Sequence, residues 1–139
     1  MSNAEKTRIV TTELGRMGRV AYARIAPNED LVQGVEKMCL AEGFSNAFVR
    51  GGLGSLVDAS LGTLDGSYQQ ISGPAVEVVS IAGEVRSGPD GVPVAALAGI
   101  VADTDGNVYG GPFLAGWNPV CMTFEVTLEE WIPEDQPPA

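Results

Sequence analysis

Arg50 closes an otherwise apolar stretch and is followed directly by "GGLGS" (51–55). A guanidinium beside glycine-rich backbone suits a carboxylate or a phosphate, because its planar fork meets two oxygens at once. Ser55 adds a hydroxyl at the end of the same run. The run does not open a helix, so it is not a phosphate loop, and its glycines serve tight backbone geometry. Glu125 is the second group of interest, on the polar face of a strand with Thr123 and Cys121. In a cleft between subunits, partial burial would raise its pKa and fit it for general acid or base work. Arg50 holding a carboxylate while Glu125 moves a proton describes an isomerase- or decarboxylase-like enzyme. The plainer alternatives are an arginine that binds loop carbonyls, Glu125 or Asp58, and a carboxylate satisfied at a subunit interface.

Histidine is absent from the 139 residues. That removes imidazole acid–base catalysis, Ser-His and Cys-His nucleophiles, and the commonest zinc and iron sites. Cys39 and Cys121 are far apart in sequence and read as small buried hydrophobes in a reducing compartment. Only an oxygen-ligand metal site would remain, and "ADTDGN" (102–107) lacks the downstream glutamate of a calcium loop. Asp103 and Asp105 are therefore turn residues. Trp117, in "GWNP", is a large aromatic after a glycine. It either packs in the core or an interface, or lines an apolar ligand recess with Tyr109 and Phe113.

The elements that must position these groups follow from length and pattern. A chain of this size is one domain, and 18 glycines with 9 prolines favour strands and turns over a bundle. "RVAYARIA" (19–26) alternates weakly as a strand. Asn28 is placed as a helix N-cap, with Glu29 and Asp30 in the first turn. Leu31, Val35, Met38 and Cys39 then form one helical stripe, which Gly43 ends. The rest reads as β-structure. "FSNAFVR" (44–50) is broken by "GGLGS", and "LVDASLGTL" (56–64) alternates with Asp58 and Ser60 outward. "VEVVSIAGEV" (76–85) is a central strand, "VAALAGIVAD" (94–103) opens a hairpin at "DTDGN", and "VCMTFEVTL" (120–128) turns Val120, Met122, Phe124, Val126 and Leu128 to one side. The expectation is an α+β domain, an antiparallel sheet of about six strands with one principal helix packed on it. Residues 1–18 are an N-terminal segment whose "MSNA" matches an expression scar, and 129–139 form an acidic, proline-rich tail expected to fray.

Charge narrows the partners. With 8 Lys+Arg against 18 Asp+Glu, the net charge is −10 and the pI about 4.2. Nucleic-acid affinity rests on clustered cations that neutralise phosphates, and the densest pair here is Arg16 with Arg19. DNA is disfavoured. No apolar run approaches the roughly 18 residues of a membrane span and no signal peptide is readable, so a cytoplasmic protein without membrane partners is expected.

The order of "GGLGSLVDASLG" (51–62), "GPAVEVVSIAGEV" (73–85), "GPDGVPVAALAGIVADTDGNVYGGPFLAG" (88–116) and "VCMTFEVTL" resembles the plant and prokaryote conserved (PPC, or PCC) domain, from Arg24 to Leu128. Each motif is common by itself; the ordered set is specific. The resemblance implies a compact α+β domain that assembles as a homotrimer. In plants such domains follow AT-hook motifs in nuclear DNA-binding proteins, and bacterial relatives carry a DNA-binding label by transfer. No "RGRP"-like arm occurs in this sequence.

Typical prokaryotic members also carry P-x-x-H-x-H-A followed by G-G-H, three histidines placed to bind a metal. Their positions fall here on Ala96, Ala98 and Pro112. Ala96 and Ala98 lie two apart and so share a sheet face. The expectation is a metal-free homotrimer, without cofactor, that binds a small organic anion or metabolite in clefts between subunits. The candidate ligand residues are Arg50, Ser55, Tyr109, Phe113, Trp117, Thr123 and Glu125, and an apolar recess is expected where the histidines would stand.

Overall fold

A computed structural model describes residues 9–135. The "MSNA" start and the last four residues of the tail lie outside them. The chain forms β1 (Gly15–Ile25), α1 (Leu31–Glu42), β2 (Ala47–Leu56), β3 (Ala59–Gly62), β4 (Tyr68–Ile71), β5 (Val76–Ser87), β6 (Pro93–Ala102), β7 (Val108–Pro112) and β8 (Val120–Pro133). Six strands make one antiparallel sheet in the order β1-β8-β2-β5-β6-β7, and β3 pairs with β4 in a separate hairpin. The expected α+β architecture is present. No helix among the described residues is long and apolar enough to cross a membrane.

The core lies between α1 and one face of the sheet. Leu31, Val32, Val35 and Cys39 of α1 are buried against Ile25, Val49, Val85, Leu97, Val101, Phe124 and Leu128. Each such side chain contributes about 1.5–3 kcal/mol on leaving water. The helix starts differently from the sequence expectation. Asp30, not Asn28, is the N-cap, and its carboxylate accepts from the Gln33 amide at 2.9 Å. Asn28 sits at a φ of 70° and donates its N–H to the Val120 carbonyl at 2.8 Å. Asp30 wins the cap because its second oxygen also accepts from the Asn118 amide at 2.8 Å. Gly43 closes the helix at a φ of 74°, as expected.

"GGLGS" does not break β2; the strand runs through it. A Cβ at Gly52 would stand 2.6 Å from the Phe124 ring, and one at Gly54 would collide with the Thr123 carbonyl. The glycines let β2 lie close over β8 and the Phe124 ring. Residues 56–64 are not one strand either. Leu56 ends β2, the chain bends, and Ala59–Gly62 form β3. Ser60, expected outward, is buried because Asn118 covers it: the Asn118 carbonyl oxygen accepts from the Ser60 amide at 2.8 Å. Met122, expected in the core, is 74% exposed. Between Gly54↔Phe124 and Leu56↔Val120 the register slips, so β8 bulges and Met122 leaves the core side. At the chain ends β1 begins at Gly15 and β8 continues to Pro133, so residues 129–133 are strand rather than tail. Glu130 is buried there against Arg19 at 3.2 Å.

Asn118 is fully buried, and its side chain also donates to the carbonyls of Ser60 at 3.1 Å and Leu114 at 2.9 Å. Asn118→Ala strips these partners inside the protein and is expected to lower the free energy of unfolding by about 3 kcal/mol. Denaturant titration of the two proteins measures it; a loss within about 0.5 kcal/mol, the level of a surface substitution, shows that the network does not hold the fold.

Candidate functional site

The sheet has a second face, opposite α1, on which every strand of the six places side chains. On β6 the alternation sends Leu97 and Val101 to the core and leaves Val94, Ala96, Ala98 and Ile100 exposed. The register sets Ala98 between Ala82 of β5 and Pro112 of β7, and Ala96 opposite Glu84. The three positions singled out by the sequence resemblance therefore do converge on one patch. Methyl groups and a proline ring carry no lone pair for a cation, so the residues present do not fit a metal. Among the described residues no three His, Cys, Asp or Glu side chains group to hold one. The patch is an open surface rather than the expected recess, and Val79, Val94, Ile100 and Val108 extend it as exposed apolar area.

Arg50 and Glu125 share this face but not an ion pair. Arg50 Nε contacts Glu129 Oε1 at 3.1 Å, and its guanidinium lies 5.5 Å from the centre of the Phe48 ring. Glu125 is opposite Arg24 in the β1–β8 ladder and contacts it at 3.1 Å. Its carboxyl is lowered below the ordinary value, first by the Tyr22 hydroxyl and then by Arg24, which together outweigh burial. Within a single subunit, then, the Glu125 carboxyl is lowered rather than raised. Asp58 is engaged elsewhere, accepting from the Gly73 amide at 2.8 Å.

The remaining candidates scatter. Ser55 faces Glu77 across the β2–β5 ladder. Thr123 Oγ1 is buried without a hydrogen-bond partner. Phe113 is core, and the Tyr109 hydroxyl donates to Asp103 at 3.2 Å. Neither lines a recess with Trp117, which instead borders a cavity with Ser60, Tyr68, Gln70 and Leu114. Asp103 accepts the amides of Asp105 and Asn107 and closes its turn as expected. Cys39 is buried and its thiol is pushed up to about 11, by burial first and then by Glu36; Cys121 is half-buried and unpaired.

Sequence reasoning missed an aromatic cluster on the same face. Phe48 and Trp131 have ring centres 5.9 Å apart, and Arg86 stands 5.8 Å from the Phe48 ring on a contact of its own. Arg86 also bonds Glu13 at 3.0 Å and Glu84 at 3.2 Å. Only the strand register, which aligns Phe48 with Glu84 on one side and Glu129 on the other, brings these residues together.

The Glu125 environment is measurable. Its carboxyl midpoint, followed by NMR, is expected below the ordinary glutamate value, and Arg24→Ala is expected to move it upward. A folded-state pKa below the unfolded one stabilises above the unfolded value and is lost as pH falls through the folded midpoint. A midpoint above the ordinary value would restore the general-acid reading.

Several solved structures share this fold. A metal-containing protein of Archaeoglobus fulgidus superposes with a TM-score of 0.78 at 22% identity, over 90% of this chain and 88% of that one. A plant- and prokaryote-conserved protein of Pyrococcus horikoshii gives 0.74 at 23% identity, over 88% and 85%. A proposed DNA-binding protein of Bacteroides thetaiotaomicron gives 0.69 at 13% identity, over 88% and 85%. No curated protein matches the sequence. The Plants and Prokaryotes Conserved (PCC) domain model matches residues 12–132, nearly the whole described sheet and helix, and the chain belongs to that family.

Proposed function

We propose that this PCC domain is a cytoplasmic, metal-independent homotrimer that binds a small organic anion in clefts between its subunits. The observation that carries the reading is the open sheet face. Val94, Ala96, Ala98 and Ile100 of β6 and Val108 and Pro112 of β7 are exposed apolar positions on paired strands, and Val79 is exposed at the β5 bulge. Large uncovered apolar patches on a soluble domain mark association sites. The trimeric order is what the family resemblance implies.

At one end of the face, Arg50 and Arg86 lie against Phe48, with Trp131 beside it. An anion with an apolar body would exchange its carboxylate for that of Glu129 on Arg50 and lay the body on the rings. Glu125 is held by Arg24 rather than facing Arg50, so the enzyme reading that pairs these two loses its geometry. DNA binding fares no better. Arg19, Arg24, Lys37, Arg50 and Arg86 each sit within 3.2 Å of a carboxylate, on a chain of net charge −10. Cations so matched are withdrawn, among the described residues, from contacts to phosphate.

Two measurements test the reading. Sedimentation velocity at micromolar concentration is expected to give a trimer, and Ala98→Asp a monomer with unchanged far-UV circular dichroism; a monomeric wild type overturns the assembly. A panel of aromatic carboxylates is expected to raise the melting temperature saturably, with the effect lost in Arg50→Ala. Salt-sensitive retention of the protein on DNA would favour the nucleic-acid reading instead.

A further inference from the structure

The cavity beside Trp117 shares no lining residue with the open face and differs from it in chemistry. It has a volume of about 160 Å3 and is lined by Ser60, Tyr68, Gln70, Leu114 and Trp117. Trp117 is 66% exposed and Tyr68 65%, in a chain with only two tryptophans and three tyrosines. Leaving two large rings in water at one mouth forfeits burial that either could contribute to the core.

The walls are rigid. Ser60↔Gln70 and Gly62↔Tyr68 are directly opposed in the β3–β4 ladder, so Ser60, Tyr68 and Gln70 leave the hairpin on one face. The other wall is the turn in which the Trp117 amide donates to the Leu114 carbonyl at 3.2 Å. Buried Asn118 ties the two walls together through Ser60 and Leu114, and the Leu114 amide adds a bond to the Ser60 carbonyl at 3.1 Å. Gly62 keeps the hairpin close to the turn, since a Cβ there would press on Pro112 Cγ at 3.1 Å and meet Leu114 at 3.5 Å.

None of the lining side chains is charged. What the site offers is two aromatic faces for stacking, an apolar Leu114 and the Gln70 amide, which donates and accepts side by side. A planar ring with adjacent donor and acceptor atoms on its edge meets both demands. Nucleobases have that edge, and a glutamine amide reads it bidentately; their faces stack on aromatic side chains without regard to sequence. The negative charge of the chain disfavours a phosphate on the same ligand. We propose that this cavity is a binding site for a nucleobase or nucleoside lacking phosphate, with Trp117 and Tyr68 as stacking surfaces and Gln70 reading the ring edge.

Trp131→Phe leaves Trp117 as the sole indole, so its fluorescence reports the site. Titration with adenosine is expected to quench it saturably, and Gln70→Ala and Tyr68→Ala each to weaken binding about tenfold. Adenosine monophosphate is expected to bind more weakly than adenosine, and methyl glucoside not to bind. Isothermal titration calorimetry of the unmodified protein gives the same affinities without relying on the Trp131 variant. Binding is expected to persist in Ala98→Asp, which separates this site from the assembly face. Absence of saturable binding by both methods, affinities unmoved by the Gln70 and Tyr68 substitutions, or equal affinity for the glucoside overturns the proposal.

Discussion

The structure depends on one buried polar knot, Asp30 with Asn118. Asp30 caps α1 with one carboxylate oxygen and accepts the Asn118 amide with the other, and the Asn118 carbonyl in turn accepts the Leu31 amide at 3.0 Å. The start of β8 completes the seam, since the Val120 amide donates to the Glu29 carbonyl at 2.9 Å. Helix termini leave donors unsatisfied, and here the same side chains that satisfy them locate the helix over the sheet. The Asn118 amide extends the knot to β3 and to the Leu114–Trp117 turn. One network therefore sets the helix, the hairpin and both walls of the aromatic cavity, and a buried network of this kind is stable only when fully satisfied.

With α1 seated on one face, the sheet is left asymmetric. Its inner positions fill with Val, Leu, Ile and Phe, whereas β6 presents alanines and valine outward between the small residues of β5 and β7. Small side chains keep that surface flat, and a flat apolar surface is suited to another protein surface rather than to a small ligand. Ala96, Ala98 and Pro112 on this surface carry side chains that can pack against a neighbour but cannot coordinate a cation.

Elements with a long, strict period were legible in the sequence: α1 from its stripe and Gly43, and β5, β6 and most of β8 from alternation. Features set by contacts distant in sequence were not. The cap moved from Asn28 to Asp30 because Asn118 lies 88 residues away, and "GGLGS" stayed in β2 because Phe124 needs the space above it. The Arg50–Glu125 pair failed for the same reason. Residue types alone cannot say that Glu125 meets Arg24 and that Glu129 meets Arg50; that is decided by register. Ala96, Ala98 and Pro112 come together because Ala98 is directly opposite Pro112 and two residues from Ala96 on one strand.

Charge bears on the open face as well. A chain of net charge −10 repels its own copies, so association is least opposed through a surface whose charges cancel. The open face meets that condition in part: Glu77 of β5, opposite Ala102, has no cationic partner among the described residues, but three arginines are paired. Arg24 is matched by Glu125, Arg50 by Glu129 and Arg86 by Glu84, each within 3.2 Å. The Arg86–Glu84 pair adjoins the patch, opposite Val94 and Ala96, whereas Arg24–Glu125 stands on β1 and β8 beyond β2. Exposed ion pairs add little to the stability of one subunit, but each sets an arginine against a carboxylate on this face and so lowers the like-charge cost of bringing two such faces together. The same pairing withdraws Arg24, Arg50 and Arg86 from contacts to phosphate.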